Sequence, residues 1–151
     1  MHAVIFTGLA AGAGCHPVST VDGGRDTAIV SRVVDGDTVE LEGNVKIRYI
    51  GIDTPEIDTQ DCFAEEAKTQ NGLLVAGKTI EMEYDDPKLD RYGRTLAYVY
   101  VDGLFVNAKM VEQGYARAYP YTKGQRYEQL FADLEADAQA HNRGLWGICA
   151  P

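Results

Sequence analysis

The sequence predicts an α+β domain, mainly β, in which a small five-stranded barrel carries three helices on its outside. Three observations predict it. Short β-type runs alternate apolar and polar residues, helical spacing enters only after the third of them, and 151 residues with 45% hydrophobic and 25% charged content suit one core. A chain of this size buries about two thirds of its unfolded surface on folding, so neither metal nor disulfide is needed merely to hold it together.

The elements follow in order. Thr27 to Val34 (TAIVSRVV) is a strand that ends at the turn Asp35-Gly36-Asp37, and Thr38 to Leu41 resumes it as a hairpin. After a second turn at Glu42-Gly43-Asn44, Val45 to Ile52 (VKIRYIGI) alternates as a half-buried strand, completing a three-strand meander. Asp53-Thr54-Pro55-Glu56 breaks that strand, because Pro55 has no amide to donate and disfavours helix at Thr54. Phe63 to Ala76 has helical spacing, with Phe63, Ala67, Leu73 and Leu74 among its apolar positions and Gly77 as its stop. Thr79 to Tyr84 and Thr95 to Val101 supply the last two strands, joined by the charged loop Asp85 to Arg94. Val106 to Gln113, stopped by Gly114, and the amphipathic stretch Arg126 to Asn142, stopped by Gly144, are the remaining helices.

Ahead of this domain, Ala3 to Ala13 is small, apolar and uncharged, and runs into Gly14-Cys15 and a polar, turn-rich stretch. It resembles a bacterial or archaeal lipoprotein signal, in which the cysteine becomes the lipidated first residue; a plain secretory signal and a start codon assigned upstream of a cytosolic domain are the alternatives. Residues 1–24 are therefore expected to be leader and linker, and 25–151 one domain, exported to the cell envelope or outside. No apolar run approaches the ~20 residues that a membrane-crossing helix needs. If Cys15 takes a lipid, Cys62 and Cys149 remain to form one disulfide in an oxidising compartment; two unrelated buried thiols are the alternative.

Asp37 and Asp53 end strands that ought to be neighbours, so their carboxylates can converge across sixteen positions of sequence. Two hard oxygen donors without a Cys/His cluster favour Ca²⁺ or Mg²⁺ over zinc. Glu56 lies three residues further on, and Arg48 and Arg94 offer guanidinium forks suited to phosphate oxygens. Carboxylates, a divalent cation and two arginines together describe phosphoryl transfer.

Taken in order, VVDGDTVEL, IRYIGIDTPE, DRYGRTLAYVYVDG and MVEQGYARAY resemble the staphylococcal nuclease family over about Thr27 to Trp146. The resemblance implies an OB-fold barrel, a platform for single-stranded nucleic acid. It implies Ca²⁺ held by Asp37, Asp53 and the carbonyl of Thr54, Glu56 activating or orienting the attacking water, and Arg48 and Arg94 gripping the phosphate. It further implies that Arg91, Tyr92, Tyr119 and Tyr121 line a nucleotide pocket, that the substrate is DNA or RNA cut to leave 3′-phosphates, and that the chain acts as a monomer. Some family members keep the barrel and lose the catalytic set, serving as silent binding modules; here the two aspartates, Glu56 and both arginines are present. The stretch between Glu56 and Phe63 is shorter than in the type member and lacks its lysines.

The balance of 23 acidic against 14 basic residues, net −9, argues against a nucleic-acid partner if charge is summed over the whole chain. At a Debye length of about 8 Å, however, a polyanion docked at two arginines and a cation sees mainly those neighbours.

Overall fold

The computed structural model describes residues 19–21, 24–120 and 122–150. In chain order it contains β1 (Ser19–Val21), β2 (Arg25–Val33), β3 (Thr38–Leu41), β4 (Lys46–Tyr49), β5 (Ile52–Asp53), α1 (Ala64–Val75), β6 (Thr79–Glu83), β7 (Thr95–Val101), β8 (Leu104–Phe105), α2 (Val106–Glu112), β9 (Arg117–Ala118), α3 (Glu128–Ala140) and α4 (Leu145–Ile148).

Five of these strands close a barrel in the order β2-β3-β4-β7-β6, with β6 returning to β2. Closure depends on two devices. The long strand β2 serves both sides, its first half pairing with β6 (Asp26 opposite Met82) and its second half with β3 (Val33 opposite Val39), with a register shift between Val30 and Arg32. The other device is the parallel β4–β7 pair, Ile47 beside Thr95, the one parallel ladder among the described strands. The interior holds Tyr49, Ile47, Ile80, Met82, Leu96 and Tyr98, each 1% exposed or less. Phe131 of α3 packs among these aromatic rings from outside.

The predicted barrel and its three helices are present, and four differences have physical causes. Residues 19–21, expected as linker, pair with β2. The run Val45 to Ile52 is not one strand: Gly51 takes φ +77°, and a Cβ there would sit 2.5 Å from the Phe131 ring, so the chain bends sharply beneath α3. After the bend, β5 leaves the barrel to pair with β9. On α1 the inward positions are Ala64, Ala67, Asn71 and Val75, whereas Leu73 is 69% exposed. Asn71 is inside because both ends of its amide are bonded, accepting from the Tyr49 hydroxyl (2.9 Å) and donating to the Asp35 carbonyl (2.9 Å). Finally, the single turn α4 follows α3 and carries Cys149 back to the strand-5 region, where it is bonded to Cys62.

Candidate active site

The first wall of the site is built where the β2–β3 turn meets the bend after β4. Asp35 Oδ1 accepts the Asp37 N–H at 3.1 Å, the local bond that makes Asp-Gly-Asp a turn. Gly36 lets this turn press on the next segment, since a Cβ would lie 2.7 Å from Thr54 Cγ2. Asp37 is thereby buried, accepting from the Thr38 hydroxyl (3.0 Å) and from the Thr54 N–H (2.8 Å). Thr38 is the register partner of Arg48, which brings the guanidinium to the same place.

Arg48 is buried and anchors the bend. Its Nη1 donates to the carbonyls of Tyr49 (2.7 Å) and Ile52 (2.8 Å), and its Nη2 meets Asp37 Oδ2 at 3.1 Å and Asp53 Oδ1 at 2.9 Å. The expected convergence of Asp37 and Asp53 is therefore real, and one guanidinium nitrogen bridges them. Asn107 supports the bend from below, donating to the Ile50 carbonyl and accepting from the Val99 N–H, both at 2.9 Å.

This wall carries more negative charge than Arg48 balances. Burial and then the neighbouring Asp37 push the Asp35 carboxyl up to about 7. Burial raises Asp53, with Arg48 opposing and Asp37 adding, and burial followed by the charges of Asp37 and Asp53 raises Glu56. An all-oxygen set with surplus negative charge fits a hard divalent cation. Among the described residues no group of three or more His, Cys, Asp or Glu side chains is arranged to hold a metal ion. The side-chain oxygens that could take part are those of Asp37 and Asp53, which Arg48 Nη2 bridges here.

The second wall is the loop between β6 and β7. Asp90 Oδ1 accepts the N–H groups of Tyr92 (2.9 Å) and Arg94 (3.0 Å), and its Oδ2 accepts Arg94 Nε at 2.6 Å. Although burial works against it, these donors hold the Asp90 carboxyl below its usual range. The Tyr92 ring has the guanidinium carbons of Arg91 and Arg94 at 4.8 and 5.5 Å from its centre.

Between the walls lies a cleft of about 530 Å³. Arg48, Asp53, Glu56, Arg91, Tyr92, Arg94 and Tyr119 all line it, together with Leu89 and Thr122. Tyr92 and Tyr119 are exposed. Asp37 and Thr54 do not line the cleft; they are buried behind Arg48 and beside a neighbouring groove respectively. Tyr121 and Cys15 lie outside the described residues. Cys62 and Cys149 form a disulfide spanning 87 positions. Sequence reasoning missed Asp90, whose signal was its spacing of four from Arg94 in DRYGR, and Asp35, which sits in the turn already singled out.

Comparison with known proteins gives the same address. The family model described as staphylococcal nuclease homologue matches residues 46–147. The thermonuclease of Staphylococcus hyicus is 33% identical over 129 residues, covering 81% of this chain and 76% of that protein. The chain belongs to the staphylococcal nuclease family. Within that family it is also similar to two proteins of Bacillus subtilis, the SPbeta prophage-derived endonuclease YokF (37% identical over 126 residues) and the endonuclease YncB (35% over 126 residues). Each match covers 78% of this chain, but the chain spans only 43% of YokF and 60% of YncB.

Proposed function

We propose that this member of the staphylococcal nuclease family is a Ca²⁺-dependent nuclease that hydrolyses phosphodiester bonds in DNA or RNA and leaves 3′-phosphate ends. The observation that carries the reading is the cleft itself, which sets Arg48, Asp53 and Glu56 on one wall against Arg94 on the other. The names of the relatives, thermonuclease and endonuclease, support it.

Asp37, Asp53 and the Thr54 carbonyl would hold Ca²⁺, which would supply positive charge for the phosphate and no redox chemistry. Arg94 donates N–H groups to the phosphate from one wall and Arg48 from the other, Arg48 giving up an Nη2 contact with Asp37 or Asp53 to do so, and such aimed donors contribute about 3–4 kcal/mol each to the transition state. Glu56 accepts the proton of the attacking water; burial and neighbouring carboxylates raise its pKa toward working pH, which suits a general base. Tyr92 and Tyr119 stack on bases, a contact indifferent to sequence. Asp90, also at the cleft wall, fixes Arg94 in place.

Export, with residues 1–24 as leader, belongs to the same proposal. The Cys62–Cys149 bond supports an oxidising destination, whether or not Cys15 carries a lipid.

The deciding experiment digests single-stranded DNA with the purified domain, in Ca²⁺ or in chelator, beside Glu56→Gln. Cutting that needs Ca²⁺ and falls by about 10²–10⁴-fold in the variant is the expected result. Binding without cutting in Ca²⁺ overturns it in favour of a silent OB-fold binding module.

A further inference from the structure

The chain has eight arginines. Six of them, Arg25, Arg32, Arg48, Arg94, Arg126 and Arg143, form ion pairs with carboxylates. Among the described residues the other two, Arg91 and Arg117, are held by aromatic rings instead: Arg91 over Tyr92 at 4.8 Å and Arg117 over Trp146 at 4.5 Å. A guanidinium held by its face keeps its N–H edges available for a planar anion. Among the described residues these two guanidiniums have a ring contact and no ion pair, although the Arg117 charge is also felt by Asp53, its neighbour across the strands.

Those positions flank the site. Arg91 lines the cleft already described. Arg117, on β9, is the register partner of Asp53 on β5 and lines a second groove of about 290 Å³. This groove and the cleft share Asp53 and Glu56, so the two concavities meet at the carboxylates where the scissile phosphate is proposed to sit. The groove is otherwise bounded by Thr54, Asp61 and the disulfide. Asp61 is an ionised carboxylate at its edge, turned toward the loop by bonds accepted from the Glu56 N–H (3.1 Å) and the Thr59 hydroxyl (2.8 Å), so Arg117 is the cation of this groove.

We propose that the groove beside Arg117 is a second polynucleotide subsite, in which Arg117 contacts the phosphodiester next to the scissile one, on the side opposite the nucleotide held by Arg91, Tyr92 and Tyr119. This inference rests on the nuclease reading. A single-stranded substrate then crosses Glu56 from one concavity to the other, and Arg117 governs how strongly chain length on one side improves binding.

The test uses oligothymidylates lengthened one nucleotide at a time at the 5′ or the 3′ end, beside a nitrophenyl ester of thymidine phosphate that has no neighbouring phosphodiester. In the wild type, KM falls as the oligomer grows at one end. Arg117→Ala is expected to erase that gain, raising KM for the extended oligomer relative to the ester by about tenfold, the loss of one charge-assisted contact. Its slope of log KM against log salt falls by about 0.7, the share of one phosphate on a single strand. Arg117→Lys, which keeps the charge, restores part of both. A KM change equal for ester and oligomers, or none, overturns the subsite while leaving the nuclease reading intact. A wild-type chain that cuts neither substrate overturns the nuclease reading, and this inference with it.

Discussion

Asp90 accepts two hydrogen bonds from Arg94, one from its backbone N–H at 3.0 Å and one from its Nε at 2.6 Å. Backbone and side chain of the arginine are thus fixed by a single carboxylate. Asp90→Ala removes both constraints, and a misplacement of about 1 Å at a catalytic group costs on the order of 10²-fold in rate. Asp90→Asn, which still accepts the backbone N–H, is expected to lose less. Steady-state kinetics on single-stranded DNA, with Ca²⁺ saturating, check the order wild type, Asn, Ala.

Arg48 and Arg94 should separate stability from activity. Arg48 is a buried partner of two carboxylates and two carbonyls, so Arg48→Ala leaves buried charge unpaired and is expected to cost about 3–5 kcal/mol. Arg94 is more accessible, and Arg94→Ala should lower turnover by about 10²–10³-fold at a smaller stability cost than Arg48→Ala, because the Asp90 it leaves behind still accepts two backbone N–H groups. Urea titrations beside kinetics distinguish the two.

Acid should weaken the fold through the β6–β7 loop. Despite burial, Glu83 is held below the ordinary range by Arg126, Tyr127 and Tyr100, and Asp85 by the N–H groups of Arg126 and Asp86 and the Tyr98 hydroxyl. Asp90 behaves alike. A carboxylate with a depressed folded pKa contributes stability above its unfolded value, near pH ~4, and that contribution is lost as pH falls through the folded one. The melting temperature should therefore drop steeply below pH ~4, and Glu83→Gln should flatten the drop.

The Cys62–Cys149 bond closes a loop spanning 87 positions, for which the chain-entropy treatment gives about 4–5 kcal/mol. It also pins the segment in which Glu56 and Asp61 bond each other's backbone at 3.1 Å. Cys149→Ser is expected to lower both melting temperature and turnover, and reductant should do the same to the wild type. Calorimetry and kinetics in matched redox buffers check this.

Much of the barrel was legible because a half-buried strand writes its own alternation. Thr38–Leu41 and Thr95–Val101 have the predicted bounds. The bend at Gly51 was not legible, because IRYIGI continues to alternate and the reason to turn is the distant Phe131 ring. Two-residue strands such as β8 and β9 carry no period to detect, and their pairing is decided by what folds against them. The burial of Asn71 was not legible either, because its partners, Tyr49 and Asp35, are more than twenty positions away. At the site, residue types and order pointed to Asp53, Arg48, Glu56 and Arg94. Asp90 was hidden as one charge among many in its loop, and the burial of Asp37 depends on Gly36 meeting Thr54.

The parallel pairing of β4 with β7 also has a bearing on synthesis. Arg48 is made early, yet its strand is flanked on one side by Leu96 and Ala97, which leave the ribosome only after α1 and β6. A nascent chain can form the β2–β3–β4 meander, but it cannot close the barrel or raise the cleft's second wall until that later segment emerges. Cys149, the partner of Cys62, comes later still. Because the two sides of the cleft are encoded far apart, a half-translated chain holds one wall without the other.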